Sequence, residues 1–341
     1  MRIKSFLISI GCFLLLMSCS EETSSRATLN EVYALRNVSG GFAGADVDYE
    51  NGAVTWTFDA DQNELVVTSL IINNGPQIKE FIYAIPYDAS APNGYMFYAR
   101  YALPRSLRAK YSLPFTPSAA CSTLPEFYAY FNDSKDVRNQ QWITGKQYDY
   151  KGNPVLVNTT KQGFDEDYKG SDASAALAYH VEITPNIVIK NPTSFDLGND
   201  EKAWNMGYRN NKFYCDSTSA TRNQNNDVPI FRYADVLLMK AEAILRGGAA
   251  TNGQTALSLV NELRSKRTTS SAWTSVSLQT LYEERSREFT WETWHRNDMI
   301  RYGKYEDKWG AKTDTDVRKR LFPIPTNALQ LNKLLTQNPG Y

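Results

Sequence analysis

The chain has 341 residues, 42% of them hydrophobic, long enough to bury a sizeable core in one large domain or two smaller ones. Its 37 basic and 37 acidic residues cancel, and no basic stripe or block breaks the balance, which argues against a nucleic-acid partner. Aromatics reach 13%, among them 21 Tyr and 7 Trp, whose flat apolar faces and polar handles suit contact with sugars or peptides, although any single one also fits an ordinary core.

At the N-terminus, Arg2 and Lys4 precede an apolar run from Phe6 to Met17. That run is shorter than the roughly 20 residues a bilayer span needs. Leu16-Met17-Ser18-Cys19 then reads as a lipoprotein cleavage box. Residues 1–18 are therefore predicted to be a signal peptide, and Cys19 the lipidated N-terminus that anchors the protein to a membrane. Cys12 leaves with the signal, so Cys121 and Cys215 remain. In an oxidising envelope they either pair or stay as two thiols. Metal-ligand spacing is absent, and His180 and His295 are the only histidines.

Residues 19–27 are polar and short-sided and read as a tether. The segment 28–73 reads as β-rich. Val54-Thr55-Trp56-Thr57-Phe58 alternates, Leu65-Val66-Val67-Thr68 and Leu70-Ile71-Ile72 do the same, and Asp59 to Asn63 makes the turn between. Gly40-Gly41-Phe42-Ala43-Gly44 is expected to be a loop. It lacks the strand–Gly–Lys–helix context of a phosphate site. A seam falls near Asn73-Asn74-Gly75-Pro76, and the apolar strand Glu80 to Ile85 after it is closed by Pro86. Gly94 to Leu113 mixes aromatic and basic residues. From Lys146 to Asn226 the chain is polar, with short apolar runs such as Ile187-Val188-Ile189 that predict strands within long loops; loops of that length are often functional.

The last third is patterned for helices. Pro229 fits a first helical turn. Phe231, Ala234, Leu237, Leu238, Ala241, Ile244 and Leu245 recur at helical spacing until Gly247-Gly248. Ala256, Leu259, Val260 and Leu263 mark a second helix, and the short connection predicts antiparallel packing. A third helix is expected from about Ser277 to Arg301, with Leu278, Leu281, Arg285, Phe289, Glu292 and Met299 on one stripe. Charge inside that stripe predicts buried partners.

Three groups of residues invite a chemical reading. Glu284, Glu288 and Glu292 fall on one helical face, as a glycosidase carboxylate pair would. Arg285, Arg287, Arg296 and Arg301 surround them, and ion pairs keep carboxylates charged where a general acid needs the opposite. His295 has no nucleophile motif nearby. Asp196, Asn199, Asp200 and Glu201 look like a loose calcium loop, but the spacing and the place of Gly198 are wrong for one, so no metal is expected. For ligand contact the candidates are Trp142, Tyr148, Tyr150, Trp204 and Tyr208, aromatics set among Gly and Asn, with Asn205, Arg209 and Asn210 able to hydrogen-bond hydroxyls. No cofactor motif is present.

Three ordered stretches resemble the SusD/RagB family: Arg232-Tyr233-Ala234-Asp235-Val236-Leu237-Leu238 with Ala241-Glu242-Ala243; Glu284-Arg285-Ser286-Arg287-Glu288-Phe289 with Glu292, Arg296, Asp298 and Arg301-Tyr302-Gly303; and Leu321-Phe322-Pro323-Ile324-Pro325 with Asn332 and Gln337-Asn338-Pro339-Gly340-Tyr341. Ala84-Ile85-Pro86-Tyr87 and Pro125-Glu126-Phe127-Tyr128 fit its middle region. The likeness runs from about residue 75 to the end. It implies a mainly α fold with irregular loops, a tetratricopeptide-type α–α architecture, over residues 74–341. It further implies a non-catalytic outer-membrane lipoprotein that captures glycans, or peptides in some members, and passes them to a SusC-like TonB-dependent transporter. Ser20-Glu21-Glu22 similarly resembles the surface-export signal of Bacteroidetes lipoproteins. Members usually carry further tetratricopeptide-type helices ahead of the matched region. Here the small β segment 28–73 stands in their place, so the resemblance implies a truncated version. A vestigial surface lipoprotein without ligand is the alternative from another class.

Overall fold

A computed structural model describes residues 41–48, 53–60, 63–69, 80–87, 96–164, 171, 174–194, 196–213, 215, 217 and 222–341. The expected signal peptide, Cys19, the tether, Leu70 to Ile72 and the seam at 73–76 lie outside the described residues. No helix among the described residues is long and apolar enough to cross a membrane.

The alternating N-terminal runs form an antiparallel meander of β1 (Gly41–Asp48), β2 (Ala53–Ala60) and β3 (Asn63–Ser69), with Phe58 opposite Leu65. The glycine-rich stretch expected to be a loop enters β1 at Gly41. It is accommodated by a register slip between Phe42 and Gly44, the kind of irregularity glycine permits in a strand.

Strand β4 (Phe81–Ile85) ends before Pro86, as expected, and pairs antiparallel with β11 (Val228–Arg232). Pro229 therefore lies in a strand and not in a helix's first turn. The β4–β11 ladder has only two strands and slips beside Pro229, so a residue without an N–H costs little there.

Between these strands the chain forms α1 (Tyr98–Ala102), α2 (Pro125–Tyr128) and a run of short strands. β5 (Trp142–Ile143), β6 (Gly145–Lys146) and β7 (Leu156–Thr160) pair with β10 (Arg209–Asn210), β9 (Glu182–Ile183) and β8 (Ala176–His180), respectively. The nested order makes one interrupted antiparallel ribbon, flanked by the single turns α3 (Lys161–Phe164) and α4 (Glu201–Trp204). The expected strand at Ile187 to Ile189 does not form; Val188 donates its backbone N–H to the Met206 sulfur instead of to a ladder. Cys121 is exposed, Cys215 is buried, and they form no disulfide. A first core gathers Met96, Leu103, Leu107, Phe115, Ile183 and Phe213.

The helical hairpin forms as its sequence pattern dictates. α5 (Tyr233–Leu245) stops where Gly247 takes a positive φ of 100°. α6 (Ala256–Arg264) begins at a capping box between Thr255 and Ser258. Leu237, Leu238 and Ala241 meet Leu259, Val260 and Leu263 in a second core, completed by Leu281 and Phe289.

α7 (Leu278–Glu288) is capped by Ser277 and Thr280, but the single helix expected to reach Arg301 is broken. Trp291 and Thr293 adopt left-handed φ values of 65° and 71°. The hydroxyl of Thr290 donates to the carbonyls of Ser286 and Arg287, and α8 (His295–Arg301) starts in a new direction. After α9 (Thr326–Leu331), the final residues turn back. Gln337 exchanges hydrogen bonds with both backbone groups of Ile324, Asn338 donates to the Phe322 carbonyl, and Tyr341 donates to that of Leu321.

Candidate functional site

The acidic row on α7 is fully committed. Arg138 lies 2.6 Å from Asp136, 2.8 Å from Glu284 and 3.0 Å from Glu288. Arg287 and Arg264 hold the other Glu284 oxygen at 2.7 and 3.3 Å. Arg267 and Arg232 share Glu288 at 2.9 and 3.0 Å. Arg232 also grips Glu80 and Glu292, and Lys212 pairs with Glu292 while donating to the Glu288 carbonyl. Each of these groups is buried. Lys212 precedes Phe213 of the first core, and Glu288 precedes Phe289 of the second, so the network joins the two.

Burial alone would raise the carboxyls of Glu284 and Glu288. The guanidiniums of Arg138, Arg287 and Arg264 outweigh it at Glu284, and those of Arg267, Arg232 and Arg138 do so at Glu288, so both sit below the ordinary value. A general acid requires the reverse, and each oxygen that would have to reach a substrate already accepts from arginine. A second cluster sits beside it. Arg285 holds Asp235 at 2.7 Å and Asp298 at 2.9 Å, and Arg301 takes the other Asp298 oxygen at 2.7 Å. His295 meets the edge of Phe127, and burial holds its pKa down at about 4. The suspected calcium loop is a helix start: Asp200 caps α4 through the Ala203 N–H and pairs with Lys190 at 2.9 Å.

The aromatic candidates separate into interior and surface groups. Trp142 is buried, edge-on to Phe131 and Tyr128, and the half-buried Tyr208 also packs edge-on against Tyr128. Arg209 is buried and donates to the carbonyls of Cys121, Trp204 and Met206, and desolvation lowers its pKa to about 10. Asn205 is buried, donating to the Glu201 carbonyl and accepting from Ser106. Asn210 is likewise buried and donates to Gln141. Tyr148 and Tyr150 are exposed on a tight turn that Asp149 organises by accepting from the N–H groups of Lys151 and Asn153. Trp204 is half-buried and lies on neither side of this division, because the Arg105 guanidinium covers its ring at 4.2 Å from the centroid.

Arg105 opens onto a cavity of about 390 Å³ lined by Arg105, Thr116, Pro117, Ser118 and Arg222. That volume falls within the roughly 300–1,000 Å³ of small-molecule sites. Pro117 is buried and gives the cavity an apolar wall, while both arginines are exposed. Sequence reasoning had no means of pairing Arg105 with Arg222. The mixture of aromatic and basic residues between Gly94 and Leu113 is the sole trace of this site in the chain order.

A family model described as the SusD family matches residues 124–341. Starch-binding protein SusD of Bacteroides thetaiotaomicron is 36% identical over 124 residues, which is 34% of this chain and 22% of that protein. Among solved structures, a SusD homolog from Bacteroides thetaiotaomicron aligns with a TM-score of 0.52 at 18% identity, over 98% of this chain and 63% of that one. A SusD superfamily protein from Parabacteroides distasonis gives 0.47 at 21% identity, over 77% of this chain and 50% of that one. The chain thus spans 22% to 63% of the length of these three relatives.

Proposed function

The chain belongs to the SusD family, and from that premise we propose that it is a non-catalytic, lipid-anchored surface protein of the outer membrane that binds glycans and delivers them to a SusC-like TonB-dependent transporter. The observation that carries the binding half is the family match over residues 124–341 together with a relative described as starch-binding. The saturated carboxylates support the absence of catalysis. Glu284 and Glu288, the residues a glycosidase reading would need, are charged, buried and paired. The lipid anchor rests on the cleavage box ending at Cys19.

We read the α5–α6 hairpin as a tetratricopeptide-type unit, on the strength of its short connection and shared core. Glycan contact is assigned to the exposed Tyr148 and Tyr150 on their turn, the half-buried Trp204 beside the Arg105 cavity, and Tyr208. Trp142, Asn205 and Arg209 hold the platform from within.

The test is calorimetric titration of the detergent-solubilised full chain with starch, laminarin and other polysaccharides, with released reducing ends measured in parallel. Saturable binding without turnover is expected. Turnover that Glu284→Gln abolishes would reinstate the enzyme reading, and failure of every glycan to bind would remove the glycan reading.

A further inference from the structure

We propose that the Arg105–Arg222 cavity binds the anionic group of an acidic glycan, a carboxylate or sulfate ester carried on a sugar ring. This rests on the glycan-binding reading above and specifies its ligand class.

The charge balance around the cavity carries the argument. Two guanidiniums line one cavity of about 390 Å³. Among the described residues neither makes a salt bridge or a hydrogen bond, whereas the arginines of the α7 network each hold at least one carboxylate. Among the described residues the cavity wall contributes no acidic residue, only Thr116, Pro117 and Ser118 beside the two arginines. Glu201 feels the charge of Arg105. It lies outside the lining, and burial raises its pKa despite the arginine. Two like charges facing one space repel each other, and an anion placed between them relieves that repulsion.

The stacking of Arg105 adds direction. Its guanidinium rests over the Trp204 ring, which fixes the plane of the group by cation–π attraction and spends none of its N–H donors. A planar fork of donors held in this way matches a carboxylate or sulfate in two-point contact. The hydroxyls of Thr116 and Ser118 border the same space, where sugar hydroxyls would lie, and Pro117 closes it from below. This is the composition of a sugar-acid site, with charge for the acid group and hydroxyls for the sugar.

The test compares polygalacturonate with its fully methyl-esterified form, which keeps the backbone and removes the charge, and includes a sulfated glycan (chondroitin sulfate) and neutral laminarin. Binding to the detergent-solubilised full chain is read by affinity electrophoresis and calorimetry. At least one of the two acidic polymers is expected to bind, and which one does tells carboxylate from sulfate. For that polymer, Arg222→Ala and Arg105→Ala each weaken binding by about tenfold, the effect of losing one charge-assisted hydrogen bond. Arg222→Lys retains part of the affinity. Since Arg222 is exposed and makes no ion pair among the described residues, Arg222→Ala should melt as wild type does, which separates loss of binding from loss of fold. Equal binding of the esterified and acidic polymers, or unchanged affinity in Arg222→Ala, overturns the proposal. Neutral laminarin bound alone, with the arginine variants indifferent, overturns it while leaving the glycan reading intact. No glycan bound at all overturns both.

Discussion

Arg138 and Glu284 stand 146 positions apart in sequence and 2.8 Å apart in space, both with almost no side chain exposed. Removing one partner from a buried pair leaves an uncompensated charge, which costs about 3–5 kcal/mol. Glu284→Gln should therefore destabilise the protein on that scale, because Arg138, Arg264 and Arg287 all lose charge complement. Urea unfolding monitored at constant slope checks this. A midpoint equal to wild type would show that the network contributes little.

His295 supplies a pH dependence. Burial holds its folded pKa at about 4, below the ordinary 6.5, so the unfolded chain binds the proton first. Its contribution to stability is fully present above pH 6.5 and is lost as pH falls towards 4. Glu284 and Glu288 act further down, losing their contribution only below about 4.5. His295→Phe keeps an aromatic ring against Phe127 and should lose stability less steeply than wild type as pH falls from 6.5 to 4, so the two curves converge. Parallel curves across that window would dismiss the histidine.

The aromatic candidates divide into two mutational classes. Trp142→Ala empties a buried position between Tyr128 and Phe131 and should cost about 3–5 kcal/mol. Tyr150→Ala, at an exposed turn, should leave the melting temperature unchanged and weaken glycan binding. Full glycan affinity in Tyr150→Ala would remove that turn from the contact surface.

Thr293 is an exposed β-branched residue at a φ of 71°. The left-handed region costs an L-residue roughly 1–2 kcal/mol, and asparagine tolerates it better. Thr293→Asn should stabilise the fold by about 1 kcal/mol, read as a rise in melting temperature; a fall would mean the hydroxyl has a role in the turn.

Local rules were legible where local interactions decide. The α5–α6 hairpin, the Gly247 stop and the Ser277 cap follow from periodicity and capping chemistry alone. The charge in the stripe of α7 correctly announced buried partners. Their identities were out of reach, since Glu80, Arg138, Lys212 and Arg267 come from segments with no shared pattern. The break at Trp291 and Thr293 was missed because neither residue signals a positive φ. Pro229 misled for a related reason: a proline fits a helix start and a short ribbon equally well, and only the partner strand β4 decides between them. The ligand candidates were chosen for sitting among Gly and Asn, yet Trp142, Asn205 and Arg209 turned inward, Asn205 and Arg209 to satisfy that same polar backbone and Trp142 to pack against Tyr128 and Phe131.

The reach of the ion network also bears on how the protein is made. Ribosomes deliver Arg138, Arg232, Arg264 and Arg267 well before Glu284, Glu288 and Glu292. Until α7 emerges, those cations have only Glu80, Asp133 and Asp136 of the network to pair with, so the network stays incomplete. Synthesis order thus becomes locking order: the last sixty or so residues bring the carboxylates that complete the network.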